Sequence, residues 1–141
     1  MGRSQAPQRS STTGRNRLRP RRRRGSIAIK RVYDPALDSD GIRVMVDRLW
    51  PRGLSKAKLQ CDAWPHELAP SDELRKWYGH KPERFAEFRR RYRAELAAQS
   101  DAVATLRASI KGRAATLLTA TRDLDLSQAA VLREVLLGRR T

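Results

Sequence analysis

Short strand-like stretches of apolar and β-branched residues occur twice near the start of the chain and once near its end, with helical spacing in between. The run SIAIKRVY, Ser26 to Tyr33, is short, β-branched at several positions and closed by Asp34-Pro35, which predicts a first strand. In IRVMVDRLW, Ile42, Val44 and Val46 fall on one face and Arg43, Met45 and Asp47 on the other. That alternation predicts a second strand, stopped by Pro51 and Gly53. The stretch between, DPALDSDG, carries Asp34, Asp38 and Asp40 but lacks the third spaced oxygen ligand and the final glutamate of a calcium loop, so a solvated turn is expected.

Residues 55–70 read as irregular or as one short helix. Ser71 then stands ahead of Asp72 and Glu73, the cap and acidic first turn of a short helix that Gly79 closes in the left-handed conformation. Pro82 opens a stronger helix, whose apolar residues Phe85, Phe88, Tyr92 and Leu96 recur at helical spacing. A further helix, DAVATLRASIKG, ends at Gly112, and AATLLTAT predicts a third, buried strand. The last element, SQAAVLREVLLGRR, is helical, with Ser127 as its cap and Arg133 and Glu134 directed away from the apolar stripe. A helical stretch between the second and third strands makes a parallel crossover the natural connection. The expected fold is α/β: one small domain over residues 25–141, with a short, mainly parallel sheet flanked by helices.

Charge changes the picture at the amino end. Of a formal net charge of +16, nine units are arginines between Met1 and Arg24, where there is no acid, leaving +7 on the rest. Residues 1–24 show no hydrophobic period and bury too little apolar area to offset ordering entropy, so a disordered, arginine-rich tail is expected. Such a tail binds polyanions non-specifically at low salt, with a salt slope of about −0.9 per neutralised phosphate. Together with Arg89, Arg90, Arg91 and Arg93 it makes nucleic acid a possible partner, although no aromatic ladder reads bases. Cys61 is the single cysteine, which excludes an internal disulfide and a cysteine zinc cluster. No apolar run approaches the roughly 18–20 residues of a membrane span. The expected setting is the cytoplasm, away from membranes, with no cofactor and no metal.

Ligands of open α/β sheets bind beyond the carboxyl ends of the strands. Tyr33 and Asp34 follow the first strand; Asp47, Arg48, Trp50 and Arg52 follow the second; Thr119, Thr121, Arg122 and Asp123 follow the third. The last group leads into a helix amino end at Ser127 and Gln128, where free N–H groups favour an anion. Arg48, Trp50, Arg52, Arg122, Ser127 and Gln128 are therefore the candidate ligand-binding residues, suited to a phosphate or carboxylate. The bland alternative is that the Arg/Asp pairs close loops by salt bridges and that Trp50 covers the core. Asp47 and Asp123 are candidate bases or arginine-orienting groups, and His80 is a candidate acid/base or a simple helix C-terminal cation. Cys61 lacks an adjacent partner and reads as inert. No glycine-rich phosphate loop, zinc-protease helix or nucleophile elbow occurs.

The strings IKRVYDPALDSDGIRVMVDRLWPRGLSK, WPHELAPSDELRKWYGHKPERFAEFRRRYRAEL, TLLTATRD and AAVLREVL resemble the YeaO-like branch of the domain of unknown function 488 family, over roughly Ile27 to Leu137. The resemblance implies a compact cytoplasmic α/β domain and no established activity. It also implies two departures: relatives typically carry tyrosine where Thr119 stands and an Asn-His pair where Ser127-Gln128 stands. Gln128 can hydrogen-bond but cannot act as a base at neutral pH. Three readings stay open: binding or acting on a small anionic ligand, association with nucleic acid, or a structural or partner-binding domain.

Overall fold

The computed structural model describes residues 24–139. The expected disordered tail, apart from Arg24, lies outside the described residues. Three strands, β1 (Ile27–Arg31), β2 (Ile42–Met45) and β3 (Ala115–Thr119), form one sheet in the order β1-β3-β2. Both pairings are parallel, with Ile27 and Ile42 each opposite Ala115 and Arg31 opposite Thr119. The fold is thus α/β, as the alternation of elements predicts. As the central strand, β3 has all five residues buried, and its near-continuous apolar run suits a strand covered on both faces.

The two faces are covered unequally. Helices α2 (Asp72–Tyr78), α3 (Phe85–Ala98), α4 (Ser100–Ile110) and α5 (Gln128–Leu136) contribute to one core with Val44, Val46, Ala115 and Leu117. The opposite side is a smaller cluster of Val32, Met45, Leu59 and Leu118, closed by Trp50, Leu54, Cys61 and Trp64. Leu59 there comes from α1 (Lys56–Leu59), a single turn capped by Ser55. Ser71 caps α2 as expected, accepting from the Leu74 amide at 3.2 Å, and also ties it to α3: its amide and hydroxyl donate to Glu95 at 2.9 and 2.6 Å. Within that core Tyr78 stacks on Phe88 with ring centroids 4.3 Å apart.

The link from β1 to β2 corrects the expectation of a solvated turn. Because both strands run the same way on either side of β3, the link must return along the sheet, and it is pinned there. Asp40 is only 3% exposed. Its carboxylate pairs with Lys30 Nζ at 3.0 Å and Arg43 Nη1 at 2.5 Å and accepts from the Leu37 amide, while Thr116 donates to its carbonyl. Arg43 is buried too, because the α1 segment covers that face, and it also donates to the Leu59 and Gln60 carbonyls. Next to Asp40, Gly41 has φ +67°, and a Cβ there would lie 2.1 Å from the Ala114 carbonyl oxygen, so only glycine fits.

The basic face of α3 is also different from a simple solvated one. Arg89 and Arg93 reach Glu134 on α5 at 2.7 and 3.3 Å, and Arg90 and Arg91 each reach Glu87 at 2.7 Å. Hydrogen bonds from Arg90 and Arg91 hold the Glu87 carboxyl down to about 2. Glu134 therefore turns toward α3, and the arginine run is paired off. Among the described residues no helix is long and apolar enough to cross a membrane.

Candidate functional site

The carboxyl ends of the three parallel strands open on a cavity of about 660 Å³. Asp47, Arg48, Trp50, Arg52, His80, Arg122, Asp123 and Gln128 all line it, so residues distant in sequence meet on one concavity. Ser127 is not among the lining residues. Its side chain is buried as the cap of α5, accepting from the Ala130 amide at 3.3 Å and donating to the Leu124 carbonyl at 2.7 Å.

Asp47 is the junction of the site. Its Oδ1 accepts from the Thr119 hydroxyl at 2.7 Å and from the Gln128 side-chain amide, and its Oδ2 accepts from the Ala120 amide at 2.8 Å. One carboxylate thus joins the exit of β2 to the exit of β3 and the first residue of α5. Burial pushes the Asp47 carboxyl above the usual carboxylate range, and the donors from Ala120 and Thr119 and the charge of His80 restrain the shift. Its acceptor capacity is largely taken up, which makes it an anchor more than an available base. Thr119 and Gln128, two of the three positions at which the resemblance implies a departure, both bond to this group.

The arginines divide into tied and open ones. Arg48 Nε contacts the exposed Asp72 at 3.2 Å, a surface pair that water and salt screen. Arg52 and Arg122 are exposed, and among the described residues neither guanidinium has a hydrogen-bond or ion-pair partner. Trp50 combines two roles: its indole donates to the Leu54 carbonyl at 2.6 Å and meets Trp64 edge-on at 5.2 Å, yet it also forms cavity wall. Cys61 sits half-buried in the smaller cluster, and burial pushes its thiol up, away from the reactive thiolate.

His80 carries the least expected backbone feature. Gly79 closes α2 in the left-handed region as predicted, but His80 follows it there with φ +57°. A side chain costs about 1–2 kcal/mol in that conformation. The His80→Gly variant is therefore expected to unfold at a urea midpoint equal to or above the parent's. His80→Val should fall below His80→Gly by about 1–2 kcal/mol. Equal losses in both variants would locate the effect in the imidazole, 6.0 Å from the Tyr78 ring, and not in the backbone.

Sequence reasoning did not assign Arg31, Tyr33, Arg75 or Tyr78 to the site, although all four line the cavity. For Arg31 and Tyr33 the signal was their place at the end of the first strand. Tyr78, buried against Phe88 and donating from its hydroxyl to the Leu126 carbonyl at 2.7 Å, offered none.

A family model described as the inactive DUF488-N3 subclade matches residues 26–140. The chain is 46% identical over 113 residues to the uncharacterized protein Rv3073c of Mycobacterium tuberculosis (strain ATCC 25618 / H37Rv), covering 80% of this chain and 95% of that one. It is 44% identical over 107 residues to the uncharacterized protein YeaO of Escherichia coli (strain K12), covering 76% of this chain and 93% of YeaO. No solved structure matches the chain.

Proposed function

The chain belongs to the DUF488 family, in the subclade described as inactive, and on that premise we propose that it binds a small anionic ligand at the strand carboxyl ends without transforming it. One observation carries this reading: Arg52 and Arg122 line a common cavity and, among the described residues, neither guanidinium has a carboxylate partner. Guanidinium groups pair bidentately with phosphate or carboxylate, so the wall suits an oxyanion. The absence of turnover follows from the junction beside it. Asp47 is engaged by three donors, and Gln128, which supplies one of them, neither takes nor gives a proton at neutral pH. A cytoplasmic setting suits this reading, with Cys61 a lone, unreactive thiol. The paired arginines of α3 weigh against that face as a nucleic-acid contact.

Thermal unfolding with inorganic phosphate, ribose 5-phosphate and citrate tests the reading. At 100 times its dissociation constant a ligand adds about 2.7 kcal/mol, a shift of several degrees in Tm. That shift is expected in the parent and should shrink in both Arg52→Ala and Arg122→Ala, which remove exposed side chains and leave the fold intact. An anion that stabilises parent and both variants equally acts elsewhere on this basic protein and sinks the assignment.

A further inference from the structure

Tyr33 follows β1 and remains 47% exposed at the cavity wall. It is nevertheless held in place. Its hydroxyl donates to the Arg52 carbonyl at 3.2 Å, and the Arg31 guanidinium lies 5.2 Å from its ring centroid. Arg31 is itself fixed by donating from Nη2 to the Ala120 carbonyl at 3.3 Å. The ring is thus braced at its edge by the backbone of one cavity arginine and on its face by the side chain of another. The rest of its surface is open. Rigid aromatic surface costs little further ordering when a second ring settles on it.

A neighbouring feature points the same way. Leu49, 65% exposed, adds uncovered apolar surface to the same cavity. A bare inorganic anion would use the open arginines and leave Tyr33, Leu49 and most of the 660 Å³ unfilled. From this juxtaposition of a braced, exposed ring with open guanidinium groups we propose that the ligand is a planar aromatic phosphate, its ring stacked on Tyr33 and its oxyanion held by Arg52 and Arg122. The proposal rests on the anion site above and adds the body of the ligand to its charge.

Calorimetric titration of the full chain separates the two. The probes are adenosine 5′-monophosphate, phenyl phosphate, ribose 5-phosphate and inorganic phosphate, each against the parent, Tyr33→Leu, Tyr33→Phe and Arg122→Ala. At least one ring-bearing probe is expected to bind about fivefold or more tighter than the ringless phosphates, in keeping with aromatic stacking. Tyr33→Leu should abolish that gain and Tyr33→Phe should keep it. Preference for the nucleotide identifies a nucleobase as the ring, and preference for phenyl phosphate identifies a compact aryl group; either supports the proposal. A ring that adds nothing, or a gain that survives Tyr33→Leu, overturns it. If the ringless phosphates still bind in an Arg122-dependent way, the anion site stands while the stacking proposal falls. Failure of every phosphate to bind removes both.

Discussion

Replacing Asp40 with alanine is expected to lower the free energy of unfolding by about 3–5 kcal/mol, the range for breaking a buried ion pair from one side. The variant would leave the Arg43 guanidinium, whose side chain is 5% exposed, without its counter-charge, and would free Lys30 as well. Urea denaturation reads the effect as a lower midpoint at an unchanged slope. Adding Arg43→Met should recover only part of the loss, since the Leu59 and Gln60 carbonyls then lose their donor. The pH dependence carries a definite sign. Burial pulls the Asp40 carboxyl upward, but the Leu37 amide, Lys30 and Arg43 outweigh it and hold the group below its ordinary range. Its contribution is therefore fully present above the ordinary carboxylate pKa and is lost as pH falls through the depressed value. The parent should show that acid loss, and Asp40→Ala should lack it. A cost below about 1 kcal/mol would mean that the cluster does not hold the β1–β2 link.

Asp47→Ala is expected to cost about 2–4 kcal/mol, because the Thr119 hydroxyl, the Ala120 amide and the Gln128 amide lose their common acceptor. Removing a buried charge offsets part of that loss. Asp47→Asn isolates the charge: it keeps one acceptor oxygen but turns an NH₂ group toward donors, and should recover less than half of the stability. Here the linkage runs opposite to Asp40. Burial raises the Asp47 pKa, so the folded protein holds this proton more tightly than the unfolded chain does. Stability then declines as pH rises from the ordinary carboxylate range through the raised value. Asp47→Ala should abolish that decline, which urea midpoints across mildly acidic pH would reveal. A variant as stable as the parent would refute the role of Asp47 as the junction of the strand exits.

What could be read in the chain beforehand was local. Alternation in Ile42–Val46, the Ser71 cap with its Gly79 exit, and the spacing of Phe85, Phe88, Tyr92 and Leu96 each act within a few residues. The parallel crossover followed from their order. The strand-end rule likewise named Arg48, Trp50, Arg52 and Arg122, which share one cavity wall. What escaped was set by distant partners. Whether Asp40 meets water depends on the covering of the second sheet face by the irregular residues around α1, which no periodicity announces. Asp47 finds its side-chain partners 72 and 81 positions further along. Ser127 was legible as a cap and as a candidate ligand residue, but the hydroxyl that accepts from Ala130 also donates to Leu124 and is buried.

The strand order also dictates when the molecule can come into being. β1 and β2 do not pair with each other, and each bonds only to β3 within the sheet. During synthesis, both therefore lack their partner in the sheet until the last strand is made and slides between them. At about 5–20 residues per second the interval from Asp47 to Gln128 alone takes about 4 to 16 s. Through that delay two apolar segments depend on the intervening helices, or on chaperones, to keep them from other chains. The cavity wall and the sheet then close together, so a partly made chain has neither.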